Sequence, residues 1–135
     1  LHSYFSVGAV ALTHEQGLDG CAYTDKATGA GGAVKRQTGD VTVAAEVDRL
    51  YAGVPPSLTL VDGALNRRVC ITFEGSRTAV VWNPWAAIAA GMADLPDDGY
   101  RRFVCVETAN AGPEVSTLAP GRTHTLVAPI AAGSY

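Results

Sequence analysis

Ser57-Leu58-Thr59-Leu60-Val61 and Arg68-Val69-Cys70-Ile71-Thr72-Phe73 are the two runs that decide the fold. In each, apolar and polar side chains alternate, the period of a strand whose faces meet different surroundings. Asp62-Gly63-Ala64-Leu65-Asn66 lies between them with turn-forming residues at both ends, so the runs are expected to pair as a hairpin. The same period extends outward. Over Asp40 to Tyr51 it sets Val41, Val43, Ala45 and Val47 on one face and Thr42, Ala44, Glu46 and Asp48 on the other. Thr78-Ala79-Val80-Val81-Trp82 is a short strand halted by Asn83-Pro84, and Phe103-Val104-Cys105-Val106-Glu107-Thr108 is another. Thr123 to Ile130 reads as the closing strand, with His124, Leu126 and Ala128 opposite Thr125 and Val127.

Two regions break this rhythm. Gly29-Ala30-Gly31-Gly32 has no side chains to pack and reads as a surface loop. Trp85 to Leu95 is rich in alanine and predicts a short helix, stopped by Pro96-Asp97-Asp98-Gly99. With 15 glycines and 7 prolines in 135 residues, many short elements are favoured over long helices. The expected fold is all-β, a sandwich of mostly antiparallel strands with at most one short helix.

Composition excludes several classes of protein. Apolar residues make up 47% of the chain and charged residues 17%, which suits a packed core and not a disordered segment. A net charge of −3 supplies no basic field for nucleic acid. No apolar run approaches the ~18–20 residues of a membrane span, so no membrane partner is expected. Cys21, Cys70 and Cys105 cannot all pair with one another; they form no C-x-x-C motif, and no histidine stands at zinc-ligand spacing from them. Reduced cysteines, a cytoplasmic location, no structural metal and no cofactor are the expectation.

Glu107 draws attention because it follows Phe103-Val104-Cys105-Val106, a run of the kind buried on both faces. Desolvation there would raise its pKa toward the range of a general base, while a strand-end glutamate reaching water or pairing with Arg101 or Arg102 is the alternative. Both readings stand on the residues alone. His2 precedes Tyr4 and Phe5, aromatics able to wall a pocket, and an imidazole can carry a proton near neutral pH. His14, beside Glu15 and Gln16, reads as part of a solvated loop, and His124 as structural. Asp48 on a polar strand face is either a solvated carboxylate or an acceptor for a hydroxyl-rich ligand. Trp82 and Trp85 flank Asn83-Pro84, and aromatics beside amide and carboxylate groups suit sugars, although a core role is the ordinary one for such residues. Neither a glycine-rich phosphate loop leading into a helix nor a Gly-x-Ser-x-Gly elbow is present. Proton transfer on a neutral, polyhydroxylated substrate is what this inventory favours.

Several segments, in order and spacing, resemble the hexose-6-phosphate mutarotases of the aldose 1-epimerase superfamily. They are Leu1-His2-Ser3-Tyr4-Phe5, Glu46-Val47-Asp48-Arg49-Leu50-Tyr51, Val80-Val81-Trp82-Asn83-Pro84-Trp85, Met92-Ala93-Asp94-Leu95, Cys105-Val106-Glu107-Thr108-Ala109-Asn110 and Pro120-Gly121-Arg122-Thr123-His124-Thr125-Leu126. The resemblance implies a galactose-mutarotase-like β-sandwich that interconverts the α and β anomers of an aldohexose 6-phosphate through the open-chain aldehyde. It assigns Glu107 as general base, His2 as general acid and Asp48 as acceptor of sugar hydroxyls, and Trp82 is taken as a pocket wall. Hexose or hexose 6-phosphate is the implied partner. The family's domain is considerably longer, so residues 1–135, which open at Leu1 without a methionine, are expected to be a single partial domain, the C-terminal part of the sandwich. Strands deprived of neighbours would leave edges that self-association could cover. A non-catalytic carbohydrate-binding sandwich, or a fragment lacking a complete site, is the alternative function.

Overall fold

The structure is a computed structural model and describes residues 1–134. Among these, eleven strands form two antiparallel sheets: β1 (Tyr4–Ser6), β2 (Thr13–Gln16), β3 (Ala22–Asp25), β4 (Val34–Arg36), β5 (Val41–Thr42), β6 (Val47–Ala52), β7 (Ser57–Asp62), β8 (Arg67–Thr72), β9 (Thr78–Asn83), β10 (Phe103–Ala109) and β11 (Ile130–Ser134). The six-stranded sheet runs β1-β10-β9-β6-β3-β4, and the five-stranded sheet runs β11-β8-β7-β2-β5. Their inner faces share one core: Tyr51, Val81, Val104 and Val106 from the first meet Val41, Leu58, Leu60 and Ile71 from the second. This is the sandwich expected of short amphipathic strands, each burying one face.

The hairpin forms as its sequence predicts. β7 and β8 pair from Ser57 opposite Thr72 to Asp62 opposite Arg67, with Leu58, Leu60, Val69 and Ile71 all turned into the core. Asn66 closes the turn at φ 50°, in the left-handed region that asparagine tolerates. Asp62 belongs to β7 rather than to the loop. Fully buried, its carboxylate accepts the backbone N–H of Gly8 at 3.2 Å, that of Leu65 at 3.2 Å and the Arg67 Nε–H at 3.2 Å.

Elsewhere the chain departs from the sequence pattern for identifiable reasons. Asp40 to Tyr51 is not one strand: β5 ends in one sheet, the chain bends at exposed Ala44 and Ala45, and β6 begins in the other. Val41, Val43 and Val47 keep the inward parity, but Ala45 turns out to solvent at the corner. The stretch His14-Glu15-Gln16 lies in β2, paired to both β5 and β7, and is not a solvated loop. Thr13 and Glu15 are its buried positions, so its period of two is written in polar residues and gave no apolar signal. The helix α1 covers only Trp85–Ala89. Thr123 to Ile130 is largely exposed, with one bridge between Glu74 and Val127, and the closing strand is β11 beyond it. Pro129 has no backbone N–H to give to a ladder, which suits the position just ahead of an edge strand. No helix among the described residues is long and apolar enough to cross a membrane.

Candidate active site

Register across the six-stranded sheet assembles the site. Tyr4 on β1 lies opposite Cys105 on β10, Cys105 opposite Trp82 on β9, and Trp82 opposite Asp48 on β6. Directly paired residues share a face, so this row projects from the side of the sheet away from the core. Glu107, two residues beyond Cys105, shares that side and faces Val80, which faces Leu50. The inner face of the same strands is sealed by Val104, Val106, Ala79 and Val81, each 2% exposed or less, which fixes the backbone beneath the polar groups. Phe103 and Cys105 are buried as well, because the outer face is roofed there by aromatics. The Phe103 ring lies 5.1 Å from that of Tyr4 and 5.8 Å from that of Trp82.

His2 enters from the segment just before β1. Its ring stacks on Tyr4 at 5.0 Å and 11°, stands edge-on to Trp82 at 6.0 Å, and brings Nδ1 to 3.2 Å from Glu107 Oε1. The amine of Leu1 donates to the Thr108 carbonyl at 2.8 Å and holds this segment against β10. His2, Lys26, Asp48, Val80, Trp82 and Glu107 line a depression of about 290 Å³. Burial pushes the Glu107 carboxyl above the usual carboxylate range; the neighbouring His2, chain amine and Lys26 oppose this, and the Asp48 charge adds to it. Lys26 reaches the rim from the end of β3. Its backbone N–H donates to the Asp48 carbonyl at 2.7 Å, and its ammonium lies 3.7 Å from Asp48 Oδ1.

Of the residues singled out from sequence for this chemistry, His2, Asp48, Trp82 and Glu107 meet in one depression. Glu107 does not pair with the nearby arginines: Arg101 donates to the Tyr100 hydroxyl, and Arg102 to the Gly8 carbonyl. Trp85 stands apart, its ring 5.0 Å from that of Tyr100 and packed against the core. His14 lies 3.7 Å from Asp40, and His124 bonds the Gly75 carbonyl, so neither approaches the site. Sequence reasoning missed Lys26 and Val80, and it read Cys105 only as a reduced cysteine within a buried run. Val80 and Cys105 were legible as strand positions sharing parity with Trp82 and Glu107, whereas nothing local distinguishes Lys26.

Fold and site together define a class: a galactose-mutarotase-like β-sandwich with a carboxylate–imidazole pair on the outer face of one sheet. The aldose 1-epimerase family model matches residues 1–130, and the chain belongs to that family. A provisionally named glucose-6-phosphate 1-epimerase of Escherichia coli is 40% identical over 111 residues, covering 82% of this chain and 37% of its own length. A similarly named protein of Cenchrus ciliaris is 35% identical over 123 residues, covering 89% of this chain and 36% of its own. The crystal structure of a provisionally named mutarotase from Salmonella typhimurium superposes with a TM-score of 0.83 at 33% identity, over 100% of this chain and 45% of that one. The chain thus spans less than half the length of the relatives it matches.

Proposed function

We propose that this chain carries the acid–base pair of an aldose 1-epimerase and, within the whole protein, interconverts the α and β anomers of a hexose 6-phosphate. Glu107 takes the proton of the anomeric hydroxyl as the C1–O5 bond breaks, and His2 protonates O5. Rotation about C1–C2 presents the other face of the aldehyde, and reclosure runs the two transfers in reverse. Asp48 accepts hydrogen bonds from sugar hydroxyls, and Trp82 offers an apolar wall to the ring. The observation that carries this reading is the 3.2 Å approach of His2 Nδ1 to Glu107 Oε1 within a depression large enough for a sugar to enter. Only protons pass between sugar and protein while the C1–O5 bond opens and recloses, so one raised-pKa carboxylate and one imidazole suffice, and such catalysis typically contributes ~10²–10⁴-fold.

The phosphate rests on the names of the relatives. Residues 1–135 are read as the C-terminal part of the sandwich, consistent with their share of those relatives. β4 and β11, edge strands exposed at every residue, are where the rest of a longer chain or a second copy would cover unpaired backbone. Three free cysteines suit a reducing, cytoplasmic setting. Polarimetry of freshly dissolved α-glucose 6-phosphate tests the activity: the protein speeds relaxation, and Glu107→Gln removes at least ~10²-fold of the enhancement. An undiminished rate in that variant would overturn the assignment, and saturable binding without turnover would favour a carbohydrate-binding role.

A further inference from the structure

The mechanism leaves Cys105 unused, although its thiol sits within the catalytic cluster. It precedes Glu107 by two residues on β10, projects from the same face and is fully buried beside the Tyr4 hydroxyl. One imidazole nitrogen of His2, Cys105 Sγ and one carboxylate oxygen of Glu107 all lie within 4.8 Å of one another. A thiol, an imidazole and a carboxylate are the mixed donor set of zinc-type ions, whereas magnesium and calcium favour oxygen alone. The grouping has no signature in the sequence, because His2 reaches Cys105 only through the pairing of β1 with β10.

We propose that His2, Cys105 and Glu107 form a site for a thiophilic divalent cation of the zinc type, and that the cation excludes the sugar. On binding, Cys105 loses its proton to solvent and neutral His2 gives a ring nitrogen lone pair. Glu107 gives a carboxylate oxygen, and water from the depression fills the fourth position; no electron is transferred. Thiolate and carboxylate together balance the charge of the ion. Bonds of ~2.0–2.3 Å set donors roughly 3.3–3.8 Å apart around a tetrahedral ion; His2 Nδ1 and Glu107 Oε1 already stand 3.2 Å apart, so the closure needed is that of Cys105 Sγ with them, at most about 1–1.5 Å. His2 is the partner free to move, its side chain being 56% exposed. An ion held there occupies both proton-transfer groups. This consequence rests on the function proposed above; the metal site itself does not.

Titration with Co²⁺ tests the site directly. Wild-type protein gives a thiolate-to-cobalt charge-transfer absorption in the near ultraviolet that Zn²⁺ removes by displacement and Mg²⁺ does not. The Cys21→Ser/Cys70→Ser double variant keeps the band, while Cys105→Ser loses it and binds Co²⁺ at least about tenfold more weakly. X-ray absorption of the zinc-loaded wild type needs no variant and shows one sulfur beside nitrogen or oxygen scatterers. No band in the wild type, a band surviving Cys105→Ser, or a sulfur-free shell overturns the site. Mutarotation slowed by Zn²⁺ and restored by a chelator supports the exclusion of sugar, and a rate indifferent to bound Zn²⁺ overturns it. If the protein shows no mutarotation at all, the proposed function falls, while the absorption band still decides the metal site.

Discussion

Replacing Glu15 by methionine should make the protein more stable, and more so at pH 7 than at pH 4. Glu15 lies on β2 between Val41 of β5 and Leu60 of β7, only 2% exposed, and neither carboxylate oxygen has a hydrogen-bond partner among the described residues. Burial, with a smaller contribution from the Asp40 charge, pushes its pKa well above the usual carboxylate value. A buried, unsatisfied polar group costs about 1–3 kcal/mol, and unbranched methionine follows the same path with no group to satisfy. The gain is therefore about 1–3 kcal/mol, or roughly 3–4 °C in Tm per kcal/mol for a chain of this size. The sign with pH follows from the raised pKa. Below the unfolded-state pKa both states hold the proton and the group adds no pH dependence. As pH rises past it, the unfolded chain releases the proton while the folded one retains it, and stability falls by about 1.4 kcal/mol per pH unit until the folded pKa is reached. Urea melts of both proteins at pH 4 and pH 7 measure the difference, in which the titrating groups not coupled to Glu15 cancel and Asp40 contributes the smaller part. A variant less stable than wild type at pH 7, or a gain equal at the two pH values, would refute the reasoning.

Two further outcomes follow from the same structure. Glu107 must be ionised to act as a base, and burial raises its pKa, so the acid limb of the rate profile should fall at a pH above the ordinary value of 4.5; a pH series of the polarimetric rate locates it, and a limb at or below 4.5 would contradict the desolvation argument. Leu58→Ala opens a cavity at a residue 1% exposed and should cost about 2–5 kcal/mol, whereas Ala45→Ser, at the exposed corner between the sheets, should stay within about 0.5 kcal/mol by chemical melts.

How much of this was legible in the sequence depended on where the information lay. The hairpin of β7 and β8 was readable because Leu58, Leu60, Val69 and Ile71 each record, in their own alternation, which side is buried. His2, Asp48, Trp82 and Glu107 could be nominated one at a time from their neighbours, and their order along the chain resembled a family. β2 escaped notice because a glutamate fills its central core position, and Thr123 to Ile130 misled because alternation without apolar weight does not guarantee a ladder. Lys26 at the rim carried no local mark, and Cys105 beside the carboxylate–imidazole pair showed only its strand parity.

The sequence by itself determined that the chain makes short amphipathic strands, where β7 to β10 lie, and which side chains are equipped for proton transfer, since each of these is a property of a residue and its near neighbours. Only the tertiary structure decided that β1 lies against β10 and β6 against β9. That register sets an imidazole 3.2 Å from a carboxylate more than a hundred residues away and adds Cys105 to the group, and the pairing of β3 with β6 brings Lys26 to its rim. Strand pairing is chosen by contacts between distant segments, so no stretch of sequence holds it alone.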